Sequence, residues 1–156
     1  MKQLLLAASL LFCLTCLAQT KESESTIKFD SALAEKLGAD DYGMKKYVFA
    51  YLKEGKTIIK DTAELARIQI AHLKNIQKLA AEGKLILAGP FLDHQPVRGI
   101  FIFNVTSLDE ARKLTESDPA VKAGLLEMEL RPWYGSAALI ETVKIHNTIQ
   151  RKNISE

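Results

Sequence analysis

"ARIQIAHLKNIQKLAAEGKLILAGPF", residues 66–91, decides how the chain folds. Apolar residues recur at helical spacing up to Leu79, Gly83 ends the run, and "KLILAGPF" (84–91) follows as a strand that runs into a Gly89-Pro90 turn. A helix returning directly into a strand is the unit of a layered α and β fold. Within it, His72 sits on a helical face that is otherwise apolar.

Working outward, "KKYVFAYLKEG" (45–55) is rich in β-branched and aromatic residues and reads as a preceding strand. Asp61-Thr62-Ala63-Glu64 has capping-box spacing and opens the helix that Gly83 closes. "VRGIFIFNV" (97–105) is a third strand, Ser107 caps a second helix that runs to about Glu116, and "LLEMELRPWYG" (125–135) alternates as a fourth strand. The order β-α-β-β-α-β predicts an α+β, ferredoxin-like domain, with a four-stranded antiparallel sheet and both helices on one face. The opposite face needs a cover, and a second copy is the economical one, so a homodimer through the sheet face is expected. Residues 137–150 add either a strand or a helix.

The chain has 156 residues and a formal charge of +2, with acids and bases interspersed. That length suits one domain. No Lys/Arg cluster forms the footprint nucleic acid requires, which excludes it as a partner. "MKQLLLAASLLFCLTCLAQT" (1–20) combines one early basic residue, an apolar run and small residues before Gln19. This is a secretory signal pattern, too short for a comfortable span. The expected organisation is a signal peptide (1–18), a polar lead-in with one short helix (19–43), the domain (44–136) and a C-terminal extension (137–156). The product is periplasmic or secreted, with no stable membrane insertion after cleavage. Cys13 and Cys16 fall inside the signal, and the residues before them, Phe12 and Thr15, fit lipid attachment poorly. The mature chain then has no thiol for disulfides, catalysis or metal binding.

On a helical wheel Leu65, Ile68, Ile76 and Leu79 lie within about 40° of His72. Ala66, Ile70, Leu73 and Ala80 are assigned to the rest of the apolar arc. Glu64, Arg67, Lys74, Asn75 and Lys78 are assigned to the opposite side. A buried imidazole needs partners, because each unmet ring nitrogen costs about 1–3 kcal/mol. Taken alone, the helix favours a structural histidine bonded to backbone or water. A site histidine requires a group that fixes its tautomer, usually a carboxylate. Asp118 in "ESDPAVKAG" (116–124) is the candidate. Asp before Pro119 is also a good N-cap pair, and one carboxylate has lone pairs enough for both tasks. Asp93 and His94 share a loop, but two ligands do not make a metal site, and no metal is expected. Trp133 and Tyr51 suit core or interface better than ligand stacking.

Together these pieces resemble the YCII-related (YciI-like) family of the dimeric α/β-barrel type. The residues that carry the resemblance are His72, Ala88-Gly89-Pro90, "SLDEARKL" (107–114), Ser117-Asp118-Pro119 and Arg131-Pro132-Trp133. It spans residues 45–133. The resemblance implies a ferredoxin-like fold paired sheet to sheet, with one pocket per subunit and a His–Asp dyad that maps onto His72 and Asp118. Related barrels include isomerases, dehalogenating lyases and small-ring oxygenases. The signal peptide, the lead-in and the tail depart from the family's usual small intracellular form.

The resulting expectation is an exported small-molecule enzyme of lyase or isomerase type, without a cofactor. His72 is the general acid/base and Asp118 orients it, while Gly89, Pro90, Phe91, Arg131 and Trp133 contact the substrate. The competing expectation is a non-enzymatic ligand-binding or interaction module on the same dimeric fold.

Overall fold

Strand β1 (Met44–Glu54) is apolar on both faces, as a central strand must be. It pairs antiparallel with β3 (Val97–Phe103) on one side and β4 (Leu126–Ser136) on the other. Strand β2 (Leu85–Pro90) pairs with the far edge of β3, giving the antiparallel order β2-β3-β1-β4. The computed structural model describes residues 27–155 other than His94. The expected signal segment, both cysteines and His94 lie outside the described residues.

The helices are α1 (Ser31–Leu37), α2 (Thr62–Ala81), α3 (Leu108–Glu116), the short α4 (Pro119–Lys122) and α5 (Thr142–Ile149), with a 3-10 turn over Ala137–Glu141 before α5. Helices α2 and α3 join β1 to β2 and β3 to β4, so the fold is α+β and ferredoxin-like. Among the described residues no helix is long and apolar enough to cross a membrane.

The caps follow the sequence. The Asp61 carboxylate accepts from the Ala63 and Glu64 N–H groups at the start of α2, and Ser107 Oγ accepts from Asp109 and Glu110 at the start of α3. Gly83, with φ of 68°, takes the left-handed conformation that ends α2.

Strand parity sorts the core into two layers. Val48, Ala50, Leu52, Leu85, Phe101 and Phe103 bury against Leu79 of α2 and Ala111 of α3, with Leu126, Met128 and Leu130 packed on them. The opposite face gathers Tyr47, Ile86 and Ile102, flanked by Phe49, Leu87 and Trp133. Leu139 and Ile140 of the 3-10 turn pack on this second face. The C-terminal extension is therefore helical and covers one end of the face that the sequence assigned to a second subunit.

Three local expectations need correction. Gly89 and Pro90 belong to β2, paired with Ile100 and Gly99, rather than to a turn. β2 is an edge strand, where a missing proline N–H is tolerated. On α2, Leu65 and Ile70 are 42% and 45% exposed. Ile70 lies two positions from His72, about 160° away on the wheel, and belongs to the outer side. Asn75 is partly buried, for the reason given next.

Candidate active site

Helix α2 lays its buried stripe of Ile68, His72 and Leu79 towards the sheet. The His72 ring lies nearly parallel to Phe101 of β3, with centroids 6.1 Å apart and planes 13° from parallel. Helix α3 ends at Glu116 with Ser117 as its C-cap, and Pro119 starts α4 with Asp118 as its N-cap. The Asp118 Oδ1 atom accepts from the Ala120 N–H at 2.9 Å and more weakly from Val121 at 3.4 Å.

The same carboxylate faces the imidazole. His72 Nδ1 is 2.9 Å from Asp118 Oδ1 and 2.8 Å from Oδ2. Asn75 Nδ2 donates to Oδ2 at 3.1 Å. Asp118 is 1% exposed and His72 7%. An ionised carboxylate only accepts, so Nδ1 carries the proton in this contact. Nε2 makes no hydrogen bond to the described residues, and no buried side-chain nitrogen or oxygen among them lacks one, so Nε2 keeps contact with solvent. An imidazole held at Nδ1 with Nε2 available is an arrangement able to take up and return a proton.

Burial pushes the Asp118 carboxyl up. The hydrogen bond and charge of His72, then Asn75 and the Ala120 N–H, outweigh it and hold the carboxyl below the usual carboxylate range.

The remaining sequence-derived site residues divide between the two faces of the sheet. Register puts Ala88 opposite Phe101 and Pro90 opposite Gly99, on the His72 side, while Gly89 pairs with Ile100 on the other. Phe91 follows β2 and is 47% exposed. Arg131 is directly opposite Phe49, and Trp133 is directly opposite Tyr47. The Trp133 ring lies 5.8 Å from that of Tyr47 and 6.1 Å from that of Phe49. Within one chain, then, Arg131 and Trp133 do not join His72, because the sheet separates them. Arg131 Nε also donates to Glu129 Oε1 at 2.8 Å, so its charge is already engaged.

Sequence reasoning missed two contributors. Asn75 was assigned to the outer side, yet its i+3 spacing from His72 corresponds to about 60° on the wheel, next to the histidine. Phe101 read only as an apolar strand residue, and nothing in its own segment marks it as the surface beneath an imidazole. Among the described residues no group of three or more His, Asp or Glu side chains is arranged to hold a metal.

The uncharacterized protein YjpA of Bacillus subtilis (strain 168) is 32% identical to this chain over 62 residues, covering 40% of this chain and 71% of that protein. A solved structure, 5-chloro-2-hydroxyhydroquinone dehydrochlorinase (TftG) from Burkholderia phenoliruptrix AC1100 in complex with 2,5-dihydroxybenzoquinone, is similar at a TM-score of 0.42 and 23% identity. That likeness covers 55% of this chain and 92% of the other. Residues 44–134 match the YCII-related domain, more than half of the chain, and the protein belongs to that family.

Proposed function

We propose that the protein is a small-molecule-processing enzyme in which His72 Nε2 exchanges a proton with the substrate, Asp118 holding the ring and stabilising its charged form. The observation that carries this reading is the buried contact of His72 Nδ1 with Asp118 at 2.8–2.9 Å, with Nε2 making no hydrogen bond to the described residues. A base positioned in this way contributes about 10²–10⁴-fold in rate. The reaction class is isomerisation or elimination on a small, cyclic or carboxylated compound, moving a proton next to a carbonyl. Pro90, on the same sheet face as Phe101, supplies apolar contact on the His72 side, and Phe91 lies just beyond the end of β2. Gly89, Arg131 and Trp133 reach a substrate only where the second sheet face contributes to its binding.

The organisation proposed with it is a homodimer through the part of the second sheet face that carries Phe49, Tyr51 and Trp133. Residues 1–18 direct export and are removed, 19–43 lead in, 44–136 carry the domain and 137–156 form the extension. N-terminal sequencing of the protein recovered from the cell exterior or periplasm tests the leader, with Gln19 the expected first residue.

A thermal-shift screen of small carbonyl and carboxylate compounds finds the substrate, since a ligand at 100 times its Kd adds about 2.7 kcal/mol to the folded state. His72→Gln should then bind the compound and fail to turn it over. An active His72→Gln protein sinks the acid/base role. A second reading, a binding module without chemistry, is favoured by one fact: Asp118 caps α4 whether or not His72 reacts. It predicts binding without turnover in wild type.

A further inference from the structure

The geometry points to Asn75 as the positioning residue of the His72–Asp118 pair, the side chain that turns the carboxylate so that both its oxygens meet Nδ1. The inference rests on the acid/base reading of His72.

Four donors converge on one buried carboxylate. Two come from backbone, the Ala120 and Val121 N–H groups, and both act on Oδ1. The third, His72 Nδ1, lies almost equally far from both oxygens, at 2.9 and 2.8 Å. The fourth, Asn75 Nδ2, acts on Oδ2 alone, at 3.1 Å. The backbone donors hold one oxygen, and rotation about the last side-chain bond of Asp118 would still swing the other away. Among the described residues only His72 and Asn75 hold Oδ2. A terminal carboxylate torsion is broad in the absence of such a bond.

Asn75 also leaves the chemistry of the pair untouched. Its amide is neutral at every pH, and facing a carboxylate it presents its NH₂ group, since the carboxylate has nothing to donate. It therefore fixes geometry without competing for the proton. Its place in the chain fits the task. Asn75 follows His72 by three residues on the same helix, so the two side chains are neighbours on its surface and reach one partner together. The histidine and its orienting amide come from a single helical turn, and the Asp is the N-cap of α4.

The consequence is a fixed tautomer. With the carboxylate plane held towards the ring, the neutral imidazole keeps its proton on Nδ1 and its lone pair on Nε2, where the proposed proton transfer takes place. Removing Asn75 leaves Oδ2 held by His72 alone among the described residues, so the carboxylate plane turns more freely and the Nε2–H tautomer gains population.

Nitrogen-15 spectra of the histidine ring test this in the full folded chain, at an alkaline pH beyond which the ring signals no longer move. Wild type should show the widely separated pair of ring-nitrogen signals of the Nδ1–H tautomer at His72. In Asn75→Leu the separation should shrink towards the tautomer average, with the backbone amide spectrum elsewhere unchanged, a pattern that a purely structural loss of packing does not produce. Where Asn75→Leu fails to fold, Asn75→Ala, which adds no bulk, is read in the same way. A wild-type Nδ1–H tautomer that persists in the variant overturns the role of Asn75 and leaves the acid/base reading standing. A wild-type ring protonated at Nε2 overturns that reading and this inference together.

Discussion

At Asp118 the folded surroundings favour the charged form over the unfolded chain, because His72, Asn75 and a backbone N–H more than offset burial. A depressed carboxyl pKa stabilises the fold at pH values above the unfolded value, about 3.9, and that stabilisation disappears as pH falls through the lower folded value. Asp118→Ala removes both a helix cap and a charged partner of the imidazole. Urea denaturation near neutral pH should show a loss of about 2–4 kcal/mol. The gap between wild type and variant should close below about pH 4, and a gap that stays constant down to acid would show that the carboxylate contributes only shape. Phe101→Ala at the ring beneath His72 should cost more, about 3–5 kcal/mol, since it empties a well-packed layer. His72 and Asp118 were legible in the sequence: a histidine on an apolar stripe and an aspartate before proline are both anomalies with few explanations. Asn75 was not, since an asparagine at the margin of an amphipathic face reads as solvated until its partner is in view. The face of Arg131 and Trp133 was legible in principle. Leu126, Met128 and Leu130 mark the helix-facing parity of β4, and the odd-numbered positions fall on the other side.

Among elements, β2 shows most clearly why residue type alone misleads. Ala88-Gly89-Pro90 has turn composition, yet it continues as an edge strand, because a glycine waits opposite it on β3. A Cβ at Gly99 would stand 2.5 Å from the Gly89 carbonyl oxygen and 3.1 Å from Pro90 Cα. Both contacts are backbone and neither can swing aside, so β2 would have to move. Gly99→Ala should cost about 1–3 kcal/mol in thermal or urea unfolding. The displacement should also reach the site, because Ala88 is directly opposite Phe101, and the His72 ring signals should shift with it. A variant as stable as wild type, with His72 unmoved, would mean that the two strands approach less closely than the structure has them. The helix boundaries were readable because their caps are local chemistry. Asp61 and Ser107 each satisfy two first-turn N–H groups, and the residues that do so lie within three positions of one another. Strand pairing between distant segments leaves no such local mark.

Across the whole molecule, the two faces of the sheet have different fates. The helix face is closed by α2 and α3 within one chain. Among the described residues the other face is closed only at the end where Leu139 and Ile140 meet Tyr47, Ile86 and Ile102. This division was not legible, since residues 137–150 have no periodicity that chooses strand or helix. It arises because Ser136 accepts from the Ala138 N–H and starts the 3-10 turn, while Lys36 of α1 reaches Glu141 at 3.2 Å. Beyond the turn, the Phe49 and Tyr51 rings lie 4.9 Å apart and tilted by 53°, beside Trp133. Around them Lys53 and Arg131 both pair with Glu129, which leaves this cluster with one positive charge in excess. An aromatic patch with its charged groups around it suits a second copy of itself, since aromatic side chains concentrate at the centre of such interfaces and charged ones at their rim. A carboxylate placed among those rings would have to be desolvated on docking. Phe49→Glu should therefore convert the proposed dimer to a folded monomer in sedimentation velocity at micromolar concentration, with the amide signals of α2 and the His72 tautomer retained. If wild type already sediments as a monomer at those concentrations, the sheet-face dimer is wrong and the aromatic surface belongs to another partner.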